Sequence, residues 1–334
     1  MSESPRGCAD AEGNFKIAKD ARPWRFFALE AEQRLGRAGF ASADIDARRI
    51  VERASGHEGS QYLLALEKPA TTRGVQYFER MLERRLCGEP LQYVVGFWAF
   101  RTLELLVDRR ALIPRPETES VVDCALVEID RLRTAGHGPE LTVIDLGTGS
   151  GAIALSMAAE RDLLDIWATD RSSAALDLAR ANVAGLGNDA TKVRLVEGSW
   201  FDALPDGLHG NADVIVSNPP YVAATDEIPP EVRDWEPSDA LISGPTGLEA
   251  LEHIVSNAPR WLARHGVLVV ELAPHQAVAV RERALSIGYA DVEVGRDLAG
   301  RERLVVARVN LTKAGRLNQA VARPVRGVDY RRVT

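Results

Sequence analysis

Apolar residues recur along this chain at two periods, and the change from one to the other divides it. Between Pro23 and Leu86 the spacing is helical. Trp24, Phe27, Leu29, Ala31 and Leu35 fall on one face, and Gly36 or Gly39 is set to end the run. Asp44 to Ala54 and Thr72 to Leu86 repeat the pattern among many charges. No chemistry-bearing cluster stands there, so residues 23–88 read as a small helical domain that docks a partner or packs on the core. Tyr93-Val94-Val95-Gly96 and Leu103-Glu104-Leu105-Leu106-Val107 are short strand-like runs, which predicts a β-hairpin linker over residues 89–116. Pro114 and Pro116 impose an extended approach. Glu117 or Thr118 then starts a helix carrying Val121, Val122, Ala125 and Leu126.

From Leu141 to Arg308 strands and helices alternate. The apolar runs Leu141–Leu146, Leu164–Thr169, Val193–Val196, Val214–Val216 and Val267–Leu272 predict strands, and Val292–Val294 with Leu304–Ala307 a closing pair. Helices are predicted after the first run through Ala154 and Met157, over Ser173–Leu186 and over Leu248–Leu262. Such alternation implies an α/β fold with a doubly wound, mainly parallel sheet, over residues 117–308. Ligands of these sheets bind at the carboxyl ends of the strands. Residues 1–22 are polar and expected to be disordered. Residues 309–334 carry six Lys/Arg against one Asp and no periodicity. They read as a solvated basic tail, with an RNA contact as the lesser alternative.

Composition narrows the function. In 334 residues, 46% are apolar, enough for a sizeable core, and the formal net charge is −7. That balance argues against a broad nucleic-acid footprint, so no stable nucleic-acid partner is expected. Cys8, Cys87 and Cys124 are odd in number and far apart, which indicates neither a disulfide framework nor a zinc site. The six histidines form no closely spaced pair, so no metal is inferred. Reduced thiols, the absence of a secretory pattern and the absence of an apolar run of about 18 residues lead us to expect a cytoplasmic protein with no membrane partner, and a monomer.

Two motifs sit where the fold binds ligands. Asp145-Leu146-Gly147-Thr148-Gly149-Ser150-Gly151 forms a strand-to-helix turn whose glycines let the backbone approach a ligand closely. The GxGxG spacing differs from the dinucleotide fingerprint GxGxxG, which serves a pyrophosphate. S-adenosylmethionine (SAM) has no phosphate. It carries an ammonium, a carboxylate and a sulfonium, which suits an acid beside the turn. Asp170, at the end of the second strand, has the geometry to accept both ribose hydroxyls. After the third strand come Ser199 and Trp200, and Trp200 is expected to cover the adenine face. Three features in order after three successive strands favour SAM over NAD.

The second motif is Asn218-Pro219-Pro220-Tyr221, directly after Asp213–Ser217. The prolines end the strand rigidly and donate no backbone hydrogen bond. A planar amide or amino-aromatic nitrogen is a poor nucleophile whose NH2 offers two donors. The Asn218 side-chain oxygen and the Pro219 carbonyl are suited to accept both, and the Tyr221 ring to lie against the planar group. Transfer then rests mostly on positioning, with no strong base.

On Gly88–Tyr93 with Gly96, Leu112–Glu119, Asp145–Gly151, Ser199–Phe201, Ser217–Tyr221 and Glu236-Pro237 with Gly247-Leu248, residues 23–308 resemble the HemK/PrmC family of protein-(glutamine-N5) methyltransferases. The resemblance implies a class I SAM-dependent methyltransferase domain, with a Rossmann-like seven-stranded sheet behind a small N-terminal helical domain and a hairpin linker. It implies cofactor contacts from Gly147, Thr148, Gly149, Ser150, Gly151, Asp170, Trp200 and Asn218, with Asp145 and Ser199 beside them. It implies the acceptor amide at Asn218, Pro219, Pro220 and Tyr221, and peptide chain release factors, at their GGQ glutamine, as the protein partner. S-adenosylhomocysteine is the implied product. One departure is Glu271-Leu272-Ala273-Pro274-His275-Gln276, where the family often reads Glu-x-Gly. That stretch is expected to close the sheet and barely to touch the chemistry. Alternatives are another glutamine-like acceptor, on a ribosomal protein or a small molecule, DNA adenine-N6 methylation, and a non-catalytic module with a relict SAM site.

Overall fold

The computed structural model describes residues 22–310, so the expectations for most of 1–22 and for the basic tail lie outside the described residues. The chain forms two compact units, one ending at Gly96 and the other beginning at Phe97.

The first unit is helical, as its spacing predicts: α1 (Trp24–Arg37), α2 (Ala43–Ser55), α3 (Gly59–Ala65), α4 (Thr72–Leu86) and α5 (Leu91–Val95). Trp24, Phe27, Ala31 and Leu35 of α1 are buried and share their interior with Ile50, Phe78 and Leu82. Helix α5 corrects the sequence reading, which has Tyr93–Gly96 as a strand. Pro90 enters it, and Gly96 closes it at φ +80° by donating its N–H to the Gln92 carbonyl. The Arg84 guanidinium meets the Tyr93 and Val94 carbonyls at 2.8 and 3.2 Å. Capping of the C-terminal carbonyls by Gly96 and Arg84 outweighs the β-preference of the Val94-Val95 pair.

In the second unit β1 (Phe97–Phe100) and β2 (Leu103–Leu106) form the hairpin, so its first strand lies after Gly96 rather than before it. Helix α6 (Pro116–Thr134) starts at Pro116, one residue ahead of Glu117. Proline suits this first position, where the missing N–H costs no bond. Then follow β3 (Leu141–Leu146), α7 (Ala152–Glu160), β4 (Leu164–Asp170), α8 (Ser173–Ala184), β5 (Val193–Glu197), β6 (Ala212–Ser217), α9 (Pro230–Arg233), α10 (Glu249–Asn257), β7 (Leu262–Glu271), α11 (Ala277–Ile287), β8 (Asp291–Arg296) and β9 (Glu302–Arg308). The predicted helix Leu248–Leu262 is therefore too long. Helix α10 gives way near Pro259, and Leu262 already belongs to a strand.

The seven strands run in the order β5-β4-β3-β6-β7-β9-β8, parallel except for β9. This is the class I methyltransferase sheet. Successive residues alternate between two cores. Val143, Val214 and Val267 pack with Val121, Ala125 and Ile129 of α6 on one face. Ile144, Ile215 and Leu268 pack with Leu251, Ile254 and Val280 on the other. With both faces covered, the strands read as continuous apolar runs. Strand order reverses between β3 and β6, and both motifs leave the sheet there, at neighbouring carboxyl ends.

Candidate active site

The turn after β3 is strapped to the neighbouring strand: the Gly147 and Thr148 N–H groups both donate to the Thr169 carbonyl at 2.9 Å. Gly147 has φ +72°, and a Cβ there would stand 3.3 Å from the Trp200 ring, so the indole packs closely on the turn. Gly151, at φ +88°, enters α7, and a Cβ would press on Leu155 at 3.0 Å.

Asp145 is fully buried beneath this turn. Its Oδ2 accepts hydrogen bonds from the Thr148 hydroxyl at 2.6 Å and the Ala154 N–H at 3.2 Å. Burial pushes its pKa up to about 7. In this structure it organises the turn. Asp170 does two things: Oδ2 accepts from the Gly149 N–H and Oδ1 from the Ser172 N–H, each at 2.9 Å. The N-cap of α8 is Ser172, whose hydroxyl accepts from Ala175 N–H, so Asp170 is not held to that role.

A cavity of about 810 Å³ opens over these elements. Its wall includes Gly147, Thr148, Gly149, Ser150, Asp170, Ser199 and Trp200, together with Asn218 and Pro220. Asp145, Gly151, Pro219 and Tyr221 are outside that wall. Trp200 sits at φ +50°, rare for a bulky residue, with its carbonyl accepting from Thr169 Oγ1 at 3.2 Å. Such strain is characteristic of ligand-binding positions.

Strand β6 ends at Ser217, whose hydroxyl donates to the Leu146 carbonyl at 2.6 Å and locks the two strand ends together. Asn218 follows. Its Nδ2 donates to Thr118 Oγ1 at 3.1 Å. Among the described residues no donor meets its Oδ1. The Tyr221 hydroxyl donates to Glu271 Oε1 at 3.3 Å, and the Tyr221 carbonyl accepts from Gln276 Nε2 at 2.9 Å. Gln276 also donates to the Gly247 carbonyl at 3.0 Å. Burial, and then the Glu271 charge, hold the Tyr221 phenol well above its ordinary pKa. Glu271 is fully buried, and burial raises its carboxyl to about 7. The stretch from Glu271 to Gln276 thus does more than close the sheet, contrary to the sequence reading: both of its ends grip Tyr221.

The proline-rich segment before α6 is tied to the same loop. Buried Glu236 accepts from Arg115 Nη2 at 2.5 Å through Oε1 and from the Ile113 N–H at 3.1 Å through Oε2. Thr118, Glu271 and Gln276 escaped the sequence analysis as site residues. One signal was present for Glu271: a lone acid ending the apolar run Val267–Val270, on a strand of the sheet interior.

Among the described residues no group of His, Cys, Asp or Glu is arranged to hold a metal, and no helix is long and apolar enough to cross a membrane. The PrmC N-terminal domain family matches residues 29–96, and the methyltransferase small domain family matches residues 127–232. A release factor glutamine methyltransferase of Cereibacter sphaeroides is 40% identical over 281 residues, which is 84% of this chain and 96% of that protein. One of Xylella fastidiosa is 41% identical over 244 residues, 72% of this chain and 84% of that protein. Among solved structures, a methyltransferase of Pyrococcus furiosus is 19% identical with a TM-score of 0.45, covering 64% of this chain and 92% of that one.

Proposed function

Because the chain belongs to the family of release factor glutamine methyltransferases, we propose that it transfers a methyl group from SAM to the side-chain amide nitrogen (N5) of the GGQ glutamine of a peptide chain release factor. The observation that carries this reading is the split use of the Asn218 amide: its nitrogen is engaged by Thr118, while its oxygen is left for an incoming N–H at the cavity wall.

The cavity suits SAM. The Gly147–Ser150 turn offers a backbone that a ligand approaches closely, Asp170 a carboxylate for the ribose hydroxyls, and half-buried Trp200, beside exposed Ser199, a face for adenine. Gly151 and Asp145 hold the turn in shape. When bound, SAM supplies an electrophilic methyl group on a sulfonium sulfur. The chain's own residues orient the acceptor: Asn218 Oδ1 and the Pro219 carbonyl accept the two amide hydrogens, and Pro220 and Tyr221 confine the planar group. Accepting those hydrogens lets positive charge build on nitrogen as the new bond forms. The methylated nitrogen then releases one proton to solvent. The protein acts as a cytoplasmic monomer on a protein partner, without a stable nucleic-acid partner.

Incubation with labelled SAM tests this against three acceptors: a release factor, the same factor with its GGQ glutamine changed to alanine, and DNA. Label is expected on the first alone. Label on the altered factor, or on DNA only, refutes it.

A further inference from the structure

A hydroxyl has one proton and two lone pairs, and that restricts what Thr118 is able to do. Asn218 Nδ2 donates to Thr118 Oγ1, so the hydroxyl proton must point elsewhere. Thr118 is 3% exposed and sits on the first turn of α6, and its hydroxyl favours the charged form of the Glu271 carboxyl. Glu271 closes β7 directly after Val270, the register partner of Ser217, so it stands beside Asn218 across neighbouring strand ends. Its Oε1 accepts from the Tyr221 hydroxyl, while Oε2 has no hydrogen-bond partner.

We propose that Glu271 and Thr118 are positioning residues for methyl transfer: the Glu271 carboxylate draws the Thr118 hydroxyl proton, Thr118 Oγ1 thereby accepts from Asn218 Nδ2, and the Asn218 oxygen is held toward the acceptor amide. An asparagine amide is nearly symmetric in shape, and a half-turn about its last torsion exchanges oxygen for NH2. The flipped form would present donors to a donor, repelling the substrate NH2. Only a neighbour with a fixed hydrogen-bonding sense discriminates the two, and Glu271 accepts only once it is ionised, the form it takes as the pH rises through about 7. The same carboxylate receives the Tyr221 hydroxyl, so one buried group bears on both ends of the Asn218–Tyr221 segment. The groups bearing on it are Arg303 of β9, which favours its charge, Glu117 of α6, which opposes it, and Tyr221; Arg115 acts on Tyr221.

The inference rests on the acceptor role of Asn218, and the test separates the two. In the full-length enzyme, Thr118→Val removes the hydroxyl at nearly constant volume. It is expected to lower kcat by about tenfold to a hundredfold, with the SAM Kd and the release-factor KM within about threefold of wild type. Thr118→Ser restores kcat to within about threefold. Glu271→Gln lowers kcat, and the Thr118→Val, Glu271→Gln pair loses less than the product of the two single losses, because the two share the hydrogen-bond chain to Asn218 while Glu271 alone also holds Tyr221. A Thr118→Val enzyme keeping more than about half its kcat, a serine variant as slow as the valine one, or multiplicative losses in the pair overturns the inference. If Asn218→Ala is slow while Thr118→Val is fast, this inference alone fails. If Asn218→Ala is as fast as wild type, the acceptor reading fails with it.

Discussion

At the scale of single residues, Asn218 separates binding from chemistry. Its oxygen is offered to the acceptor, and its position at the edge of the cavity leaves the glycine turn, Asp170 and Trp200 untouched. Asn218→Ala is therefore expected to lower kcat by about a hundredfold, the scale of losing one oriented acceptor in a transition state. The SAM Kd, followed by equilibrium titration, stays within about threefold. Loss of SAM binding with an unchanged rate at saturation would contradict the assignment. Gly247 makes a second residue-scale case. At φ +76° its missing Cβ would stand 2.6 Å from the Tyr221 carbonyl oxygen, and neither backbone is free to yield. Gly247→Ala is expected to cost about 2–4 kcal/mol in urea unfolding and to slow transfer by displacing Tyr221. At Gly36, where a Cβ meets nothing within 4 Å, the same change is expected to leave stability within about 1 kcal/mol of wild type.

Between elements, the decisive joint is the turn before α6. Arg115 reaches the buried Glu236, which also receives the Ile113 N–H, so the extended proline segment is fastened to the loop that follows Tyr221. Arg115→Met keeps the aliphatic bulk but removes the cation from a carboxylate whose side chain is 1% exposed. A loss of about 2–4 kcal/mol is expected, the penalty for breaking a buried pair from one side, with Glu236→Gln milder. Calorimetric melting would check both, and an unchanged melting temperature for Arg115→Met would mean that the pair is not what fastens the loop. The sequence foretold most elements around this joint, because continuous apolar runs between glycines and prolines leave few alternatives in a sheet covered on both faces. It missed what depends on partners. Helix α5 was read as a strand because five residues are too few to display a period, and its Val94-Val95 pair outvoted caps visible only in three dimensions. Strand β7 begins at Leu262, inside what its spacing suggested was helix. The turn and the Asn-Pro-Pro-Tyr segment were legible because glycine and proline carry their geometry with them. Thr118 and Gln276 were not, since nothing local marks a threonine 100 residues from the asparagine it orients, and Glu271 shows only as a lone acid ending an apolar run.

Across the whole molecule, the sheet buries two carboxyls at the ends of interior strands, Asp145 on β3 and Glu271 on β7, both fully shielded from solvent. Burial raises each to about 7, and for Asp145 the nearby Asp170 charge adds to the effect. An acid whose pKa is higher folded than unfolded binds its proton more tightly in the native state. Its contribution to stability is complete below the unfolded value, near 4, and is lost as the pH rises through about 7. The acids held by arginine behave oppositely. Asp108, lowered by hydrogen bonds from Arg110, and Glu160, lowered by hydrogen bonds from Arg101, lose their contribution as the pH falls below the ordinary carboxylate range. The two windows do not overlap. His137, lowered by burial and then by His265, which stacks on it at 3.6 Å, pulls against the fall just below its ordinary value of 6.5. The free enzyme is thus expected to lose on the order of a few kcal/mol between about pH 5 and pH 8, read as a declining urea midpoint. Glu271→Gln, which carries no titrating proton, should make that decline shallower. Midpoints that rise over the same interval, or a slope the variant leaves unchanged, would mean that these carboxyls are ionised at no cost and that the strand ends are better solvated than their burial indicates.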